Sequence, residues 1–140
     1  MLHVCLIVEI FRENRVDRVQ SIEHKGKKII LLDYSRLHAK NPEEKQAALD
    51  VIAKAREITD ASEGKIRFLS DVTDSQSDTE LVDALREFAV FTASSGKVEK
   101  ECVVGISGVQ KLLVNMINLM SKSKLVIFNT REEGLDYLVE

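Results

Sequence analysis

Tryptophan is absent, proline occurs once, and cysteine occurs twice among 140 residues. So little proline excludes a proline-rich disordered chain and a collagen-like repeat. Two cysteines as far apart as Cys5 and Cys102 form neither a disulfide framework nor a zinc-type pair. Their scarcity fits a reducing compartment, and a cytoplasmic location is expected. No strong basic excess exists either: the formal charge is −3, which is not the electrostatic footprint of a nucleic-acid binder. Long apolar runs are lacking as well. The opening stretch MLHVCLIVEIF is too short for a membrane-spanning helix, which takes about 20 apolar residues, and it has no signal-peptide pattern. Residues 1–15 are therefore set apart as an apolar extension, with a single domain expected over 16–140.

What is present alternates regularly. Val16 to His24 and Lys28 to Asp33 flank a Lys25-Gly26 turn and read as a β-hairpin. The unbroken run Ile29-Ile30-Leu31-Leu32 reads as a strand buried on both faces. Asn41-Pro42-Glu43-Glu44 is a helix start: an amide-accepting cap, a proline at the first helical position, and acids at the positive dipole end. A strand follows over Lys65 to Asp71. Ser77 with Glu80 predicts a capping box for a second helix, closed by Ser94-Ser95-Gly96. A strand from Glu101 to Ile106 leads into a third helix starting at Ser107-Gly108, then a strand from Leu125 to Phe128. Thr130 with Glu133 predicts the cap of a terminal helix. The expected fold is thus one α/β domain: an N-terminal hairpin, then alternating helices and strands, with helices packed on a mostly parallel sheet.

In such sheets ligands gather beyond the carboxyl ends of the strands. Asp33, Asp71, Thr73, Ser107 and Gly108 lie at those ends and are the candidate ligand-binding residues, although each also suits a turn or helix cap. Asp33 and Asp71 invite comparison with a response-regulator receiver, but Asp33 has no acidic neighbour and the last strand ends in Asn129 rather than lysine. Gly105-x-x-Gly108 lacks the lysine of a phosphate loop. No Gly-x-Ser-x-Gly elbow occurs, and no histidine is spaced from cysteine or carboxylate as metal ligands are. No catalytic residue, metal site or cofactor is assigned.

The third helix carries an unusually wide apolar arc. At ~100° per residue, Val109, Leu112, Leu113, Met116 and Met120 share one face, and Val114, Ile117 and Leu119 widen it. Such a helix is either deeply buried or presents an apolar surface to a partner, a second copy or a lipid. Val109, Leu112, Leu113, Met116, Ile117 and Met120 are the candidate surface.

Three segments carry a family resemblance: Lys25 to Ser35, Ser70-Asp71-Val72-Thr73, and Val103 to Gly108. Over roughly residues 16–140 the chain resembles small bacterial STAS-like proteins, related to anti-sigma-factor antagonists and more loosely to CRAL-TRIO lipid-transfer domains. The resemblance implies a non-enzymatic regulatory domain that binds a protein partner or forms a homodimer. The looser similarity implies a carrier of a small apolar ligand or lipid instead. In anti-sigma-factor antagonists a serine at the second strand–helix junction is phosphorylated. The matching region here reads Asp74-Ser75-Gln76-Ser77, without the family's glycine, which makes Ser75 and Ser77 the implied phosphorylation sites.

Overall fold

The computed structural model describes residues 17–121 and 125–140, and within the third helix only some of the side chains. Cys5, His3 and the 1–15 extension lie outside the described residues.

The hairpin pairs β1 (Val19–His24) antiparallel with β2 (Lys27–Asp33). Its two turn residues, Lys25 and Gly26, both have positive φ (49° and 81°), the turn whose twist matches the strands. There follow α1 (Pro42–Ala61), β3 (Ile66–Asp71), α2 (Thr79–Ser95), β4 (Val98–Val104), α3 (Gly108–Ser121), β5 (Val126–Phe128) and α4 (Arg131–Leu138). β2, β3, β4 and β5 are mutually parallel, and the sheet order is β1-β2-β3-β4-β5.

That order decides where everything sits. Each crossover steps to the next strand in the same direction, so right-handed connections place α1, α2 and α3 on one face. Ile30, Leu32, Tyr34, Ile66 and Phe68 point to that face and meet Ala48, Val51, Ile52, Ala55, Leu81 and Phe88. Among the described residues only α4 covers the other face, where Ile29, Leu31, Leu69, Cys102 and Val104 pack with Leu138. The run Ile29–Leu32 is buried throughout because both sides are covered.

Two helix starts are as the sequence predicts. The Asn41 side chain accepts from the Glu43 and Glu44 amides, and Thr130 accepts from the Glu133 amide. The start of α2 is a correction. Asp78, not Ser77, is the cap, accepting from Leu81 N at 2.9 Å. A carboxylate is the stronger acceptor for a backbone amide, and this one is also held by Lys45, which pairs with Asp78 at 2.8 Å and with Glu80. Glu80 thus faces Lys45 rather than reaching back to a serine. β4 also starts three residues earlier than the apolar run indicates.

Candidate functional site

Asp33 and Asp71 are register partners at the ends of the paired strands β2 and β3. Each begins the same local structure. Asp33 Oδ1 accepts from Ser35 N (3.0 Å) and Ser35 Oγ (2.6 Å); Asp71 Oδ1 accepts from Thr73 N (3.0 Å) and Thr73 Oγ1 (2.6 Å). Three residues after each aspartate the chain turns through positive φ, at Arg36 (61°) and Asp74 (53°). The two loops then run side by side, with Tyr34 N bonded to Asp71 O, Arg36 N to Thr73 O and Ala39 N to Gln76 O.

The space between the two carboxylates is taken by a guanidinium. Arg131, the first residue of α4, donates from Nε to Asp71 Oδ2 at 2.6 Å and places Nη2 3.8 Å from Asp33 Oδ2. Arg18 approaches Asp33 from the other side, donating to the Asp33 and Ser35 carbonyls. Burial opposes ionisation of Asp71, but the Thr73 bonds and Arg131 outweigh it and hold its carboxyl below the usual range. A carboxylate pair already neutralised by arginine has little affinity left for a metal cation. The unreversed strand order also creates no switch-point crevice of the doubly wound kind.

Thr73, Ser107 and Gly108 are exposed on this rim. The glycine that the rim requires is Gly105, at φ 79°, where a Cβ would collide with the Thr73 hydroxyl and lie 3.0 Å from its Cα. Gly108 has open space around it. Ser107 N donates to Gln110 Oε1 at 3.0 Å, and Gln110 Nε2 in turn reaches Ser75 O (2.9 Å) and Ser75 Oγ (3.1 Å). Ser75 Oγ donates to Val72 O, so this hydroxyl knits the α2 entry to the first turn of α3. Ser77 is exposed just before the Asp78 cap.

Beneath those loops lies a partly open space that the sequence did not reveal. A cavity of about 100 Å³ sits between the sheet and helices α2 and α3. Its walls are chiefly apolar: Val72, Val82, Leu85, Phe88, Val103 and Ile117 are among them. Val114 and Ile117 are buried against it. Ile117, expected on a partner or lipid surface, therefore turns inward. Val109, Leu112, Leu113, Met116 and Met120 also fall on α3, but their side chains lie outside the described residues.

Two titratable side chains enter this apolar space, Tyr34 from the end of β2 and Glu101 from β4. Burial pushes the Glu101 carboxyl up to about 7, opposed in part by Thr92. Burial, reinforced by the Glu101 carboxylate, raises the Tyr34 phenol above its ordinary value and keeps it protonated. Among the described residues no lysine, arginine or histidine pairs with Glu101. Its polar neighbour is Thr92 of α2, whose Oγ1 lies 3.3 and 3.5 Å from the carboxyl oxygens and 3.1 Å from Ala89 O. The Thr92 hydroxyl donates toward both the Ala89 carbonyl and the Glu101 carboxyl, and its donation to Glu101 favours the charged form against burial.

The remaining sequence features have structural surroundings. Cys102 is fully buried, and desolvation followed by the nearby Glu101 pushes its thiol up to about 12, leaving it unreactive. His24 Nε2 meets Asp136 Oδ1 at 2.8 Å, joining the hairpin to α4, and His38 Nε2 bonds Asp74 O at 2.8 Å. Among the described residues no three His, Cys, Asp or Glu side chains converge as a metal site would need. No described helix is long and apolar enough to cross a membrane.

The fold has a solved counterpart. The chain is similar to an uncharacterized protein of the DUF3478 family with a SpoIIAA-like fold from Shewanella loihica PV-4. The TM-score is 0.56 at 13% identity, covering 86% of this chain and 91% of that one. The fold is therefore SpoIIAA-like, that is, STAS-like, as the sequence resemblance implies. No protein-family model matches the chain, and no curated protein matches it.

Proposed function

We propose that this chain is a non-enzymatic binding domain that takes up a small apolar molecule between the sheet and helices α2 and α3. The observation that carries this reading is the apolar cavity itself. Protein interiors are close-packed, and a space well above the size of one water molecule is uncommon in a domain this small. The strand-end rim supports the reading from the other direction. Asp33 and Asp71 are engaged by Ser35, Thr73, Arg18 and Arg131, so neither strand-end carboxylate is free.

The cavity also favours a ligand over a protein partner as the role of α3, because Val114 and Ile117 face inward. Apolar cavities of about 150 Å³ take up benzene or xenon, so benzene is a suitable generic probe. Titration of the folded protein with benzene, followed by NMR, is expected to shift the side-chain signals of Phe88, Val103 and Ile117 saturably. Unmoved signals at these three positions overturn the reading.

A further inference from the structure

One side chain breaks the apolar pattern of the cavity wall. Glu101 stands at the middle of β4, a strand paired on both sides, with Phe68 of β3 as its register neighbour. Val103, the next residue on its face, lines the cavity with it, and Phe88, Ala89, Val114 and Ile117 stand over them from α2 and α3. A carboxylate on the inner face of a central strand ordinarily has a cation beside it. Among the described residues Glu101 has none. Its hydrogen-bond partner is the Thr92 hydroxyl, whose single proton is shared with the Ala89 carbonyl. A carboxylate has about four acceptor sites, so most of that capacity is unused. Glu101 is also the one charged side chain among the described lining residues.

Each ligand class meets that carboxyl differently. An anion finds no positive partner and adds a second negative charge beside Glu101. A hydrocarbon covers the apolar wall and leaves the carboxylate acceptors as they were. An alcohol supplies one neutral donor. An alkylammonium supplies an opposite charge and three N–H donors, and its bond to a carboxylate is charge-assisted. Burying two ions together usually costs as much water as the pair gains. Here folding has already stripped water from the carboxyl, so the ligand sheds only its own.

We infer that the cavity takes a small alkylamine in its protonated form, with the ammonium on the Glu101 carboxylate and the apolar body against Phe88, Val103 and Ile117. This inference rests on the cavity-binding reading above and adds the ligand's charged group to it. Two independent features meet in it: a space lined chiefly by apolar side chains, and a carboxyl on its wall that no described cation neutralises. Neither feature alone selects an amine, since the space by itself suits any apolar body and the carboxyl by itself suits any donor.

The test uses probes of one shape, isobutylamine, isobutanol, isopentane and isobutyrate, read by NMR shifts of Phe88, Val103 and Ile117. At pH 8 the alkylammonium is charged and Glu101, with its pKa at about 7, is largely ionised. Isobutylamine is expected to bind about tenfold more tightly than isobutanol or isopentane, the effect of one charge-assisted hydrogen bond, and isobutyrate to bind weakest. Glu101→Gln should weaken isobutylamine about tenfold and leave isopentane unchanged, which also shows that the cavity is intact in the variant. The ranking of the four probes in the unmodified protein decides the matter alone if the Gln variant is poorly folded. Equal binding of amine and hydrocarbon, tighter binding of isobutyrate, or an amine preference that persists in the Gln variant overturns the amine assignment while the cavity reading stands. If no probe moves the three residues, the underlying reading fails as well.

Discussion

On the face under α4, Leu138, Leu69, Cys102 and Val104 are at most 1% exposed, and the packing leaves little room for a side chain at Gly134. A Cβ there would come within 3.0–3.1 Å of Cys102 Sγ, Val104 Cγ1 and Leu69 Cδ1. On the opposite face α1 packs densely, but α2 and α3 stand over a cavity that holds a carboxyl group. One eight-residue helix seals its face more tightly than three longer helices seal theirs. Stability and binding are thus assigned to different sides of one sheet.

The comparison can be broken on the tight side first. Leu138→Ala removes a fully buried side chain from the face that α4 covers, and is expected to cost about 2–5 kcal/mol in urea unfolding. A loss below about 1 kcal/mol would mean that this face is not close-packed.

Next comes Glu101→Gln, which sharpens the contrast through pH. The folded carboxyl titrates at about 7 against 4.5 in an unexposed-to-field, solvated reference, so the folded state holds its proton more tightly. Below about pH 4.5 the group is protonated in both states and does not oppose folding. Stability is then lost as pH rises toward 7, with a full penalty above it on the order of 3 kcal/mol. The Gln variant should lack that decline and be the more stable protein at pH 8 by thermal unfolding. Parallel pH profiles for the two proteins contradict the burial assigned to Glu101.

The smallest effects test overpacking on both sides. Gly134→Val should destabilise by about 1–3 kcal/mol, because Cys102, Val104 and Leu69 must move aside. Ala89→Val projects into the cavity wall and should change stability by less than about 1 kcal/mol. Equal penalties would erase the distinction between the faces.

Most of the fold is legible in the residues. Ile29–Leu32 announces a strand covered on both sides, Asn41-Pro42 and Thr130 mark helix starts, and Lys25-Gly26 marks the hairpin turn. The α2 cap is off by one residue because two acceptors compete in Ser77-Asp78, and pattern matching has no term for the Lys45 that favours the second. β4 is read late because Val98-Glu99-Lys100 looks like a solvated approach to an apolar run. Glu101 is read as the first residue of that strand, but not as a buried carboxyl. Two residues before Val103 on the same strand, it shares Val103's face, and period-two alternation alone places a carboxyl on a buried surface. The duplicated Asp-x-Ser/Thr turn at 33–35 and 71–73 is visible in the sequence too, yet its bridging by Arg131 joins positions 60 residues apart and needs the tertiary fold. The cavity has no linear signature, since its walls come from four elements and the loops between them.

The sequential winding of the sheet has a consequence for synthesis. Every described strand leaves the ribosome before α4 does, so the side of the nascent sheet that α4 covers, with the Cys102 thiol in it, lacks that cover until the α4 segment emerges. The thiol that is inert in the finished domain passes through an interval of chemical accessibility. A thiol-reactive probe applied to ribosome-stalled chains should label Cys102 until Leu138 clears the exit tunnel, and protection should then appear in one step.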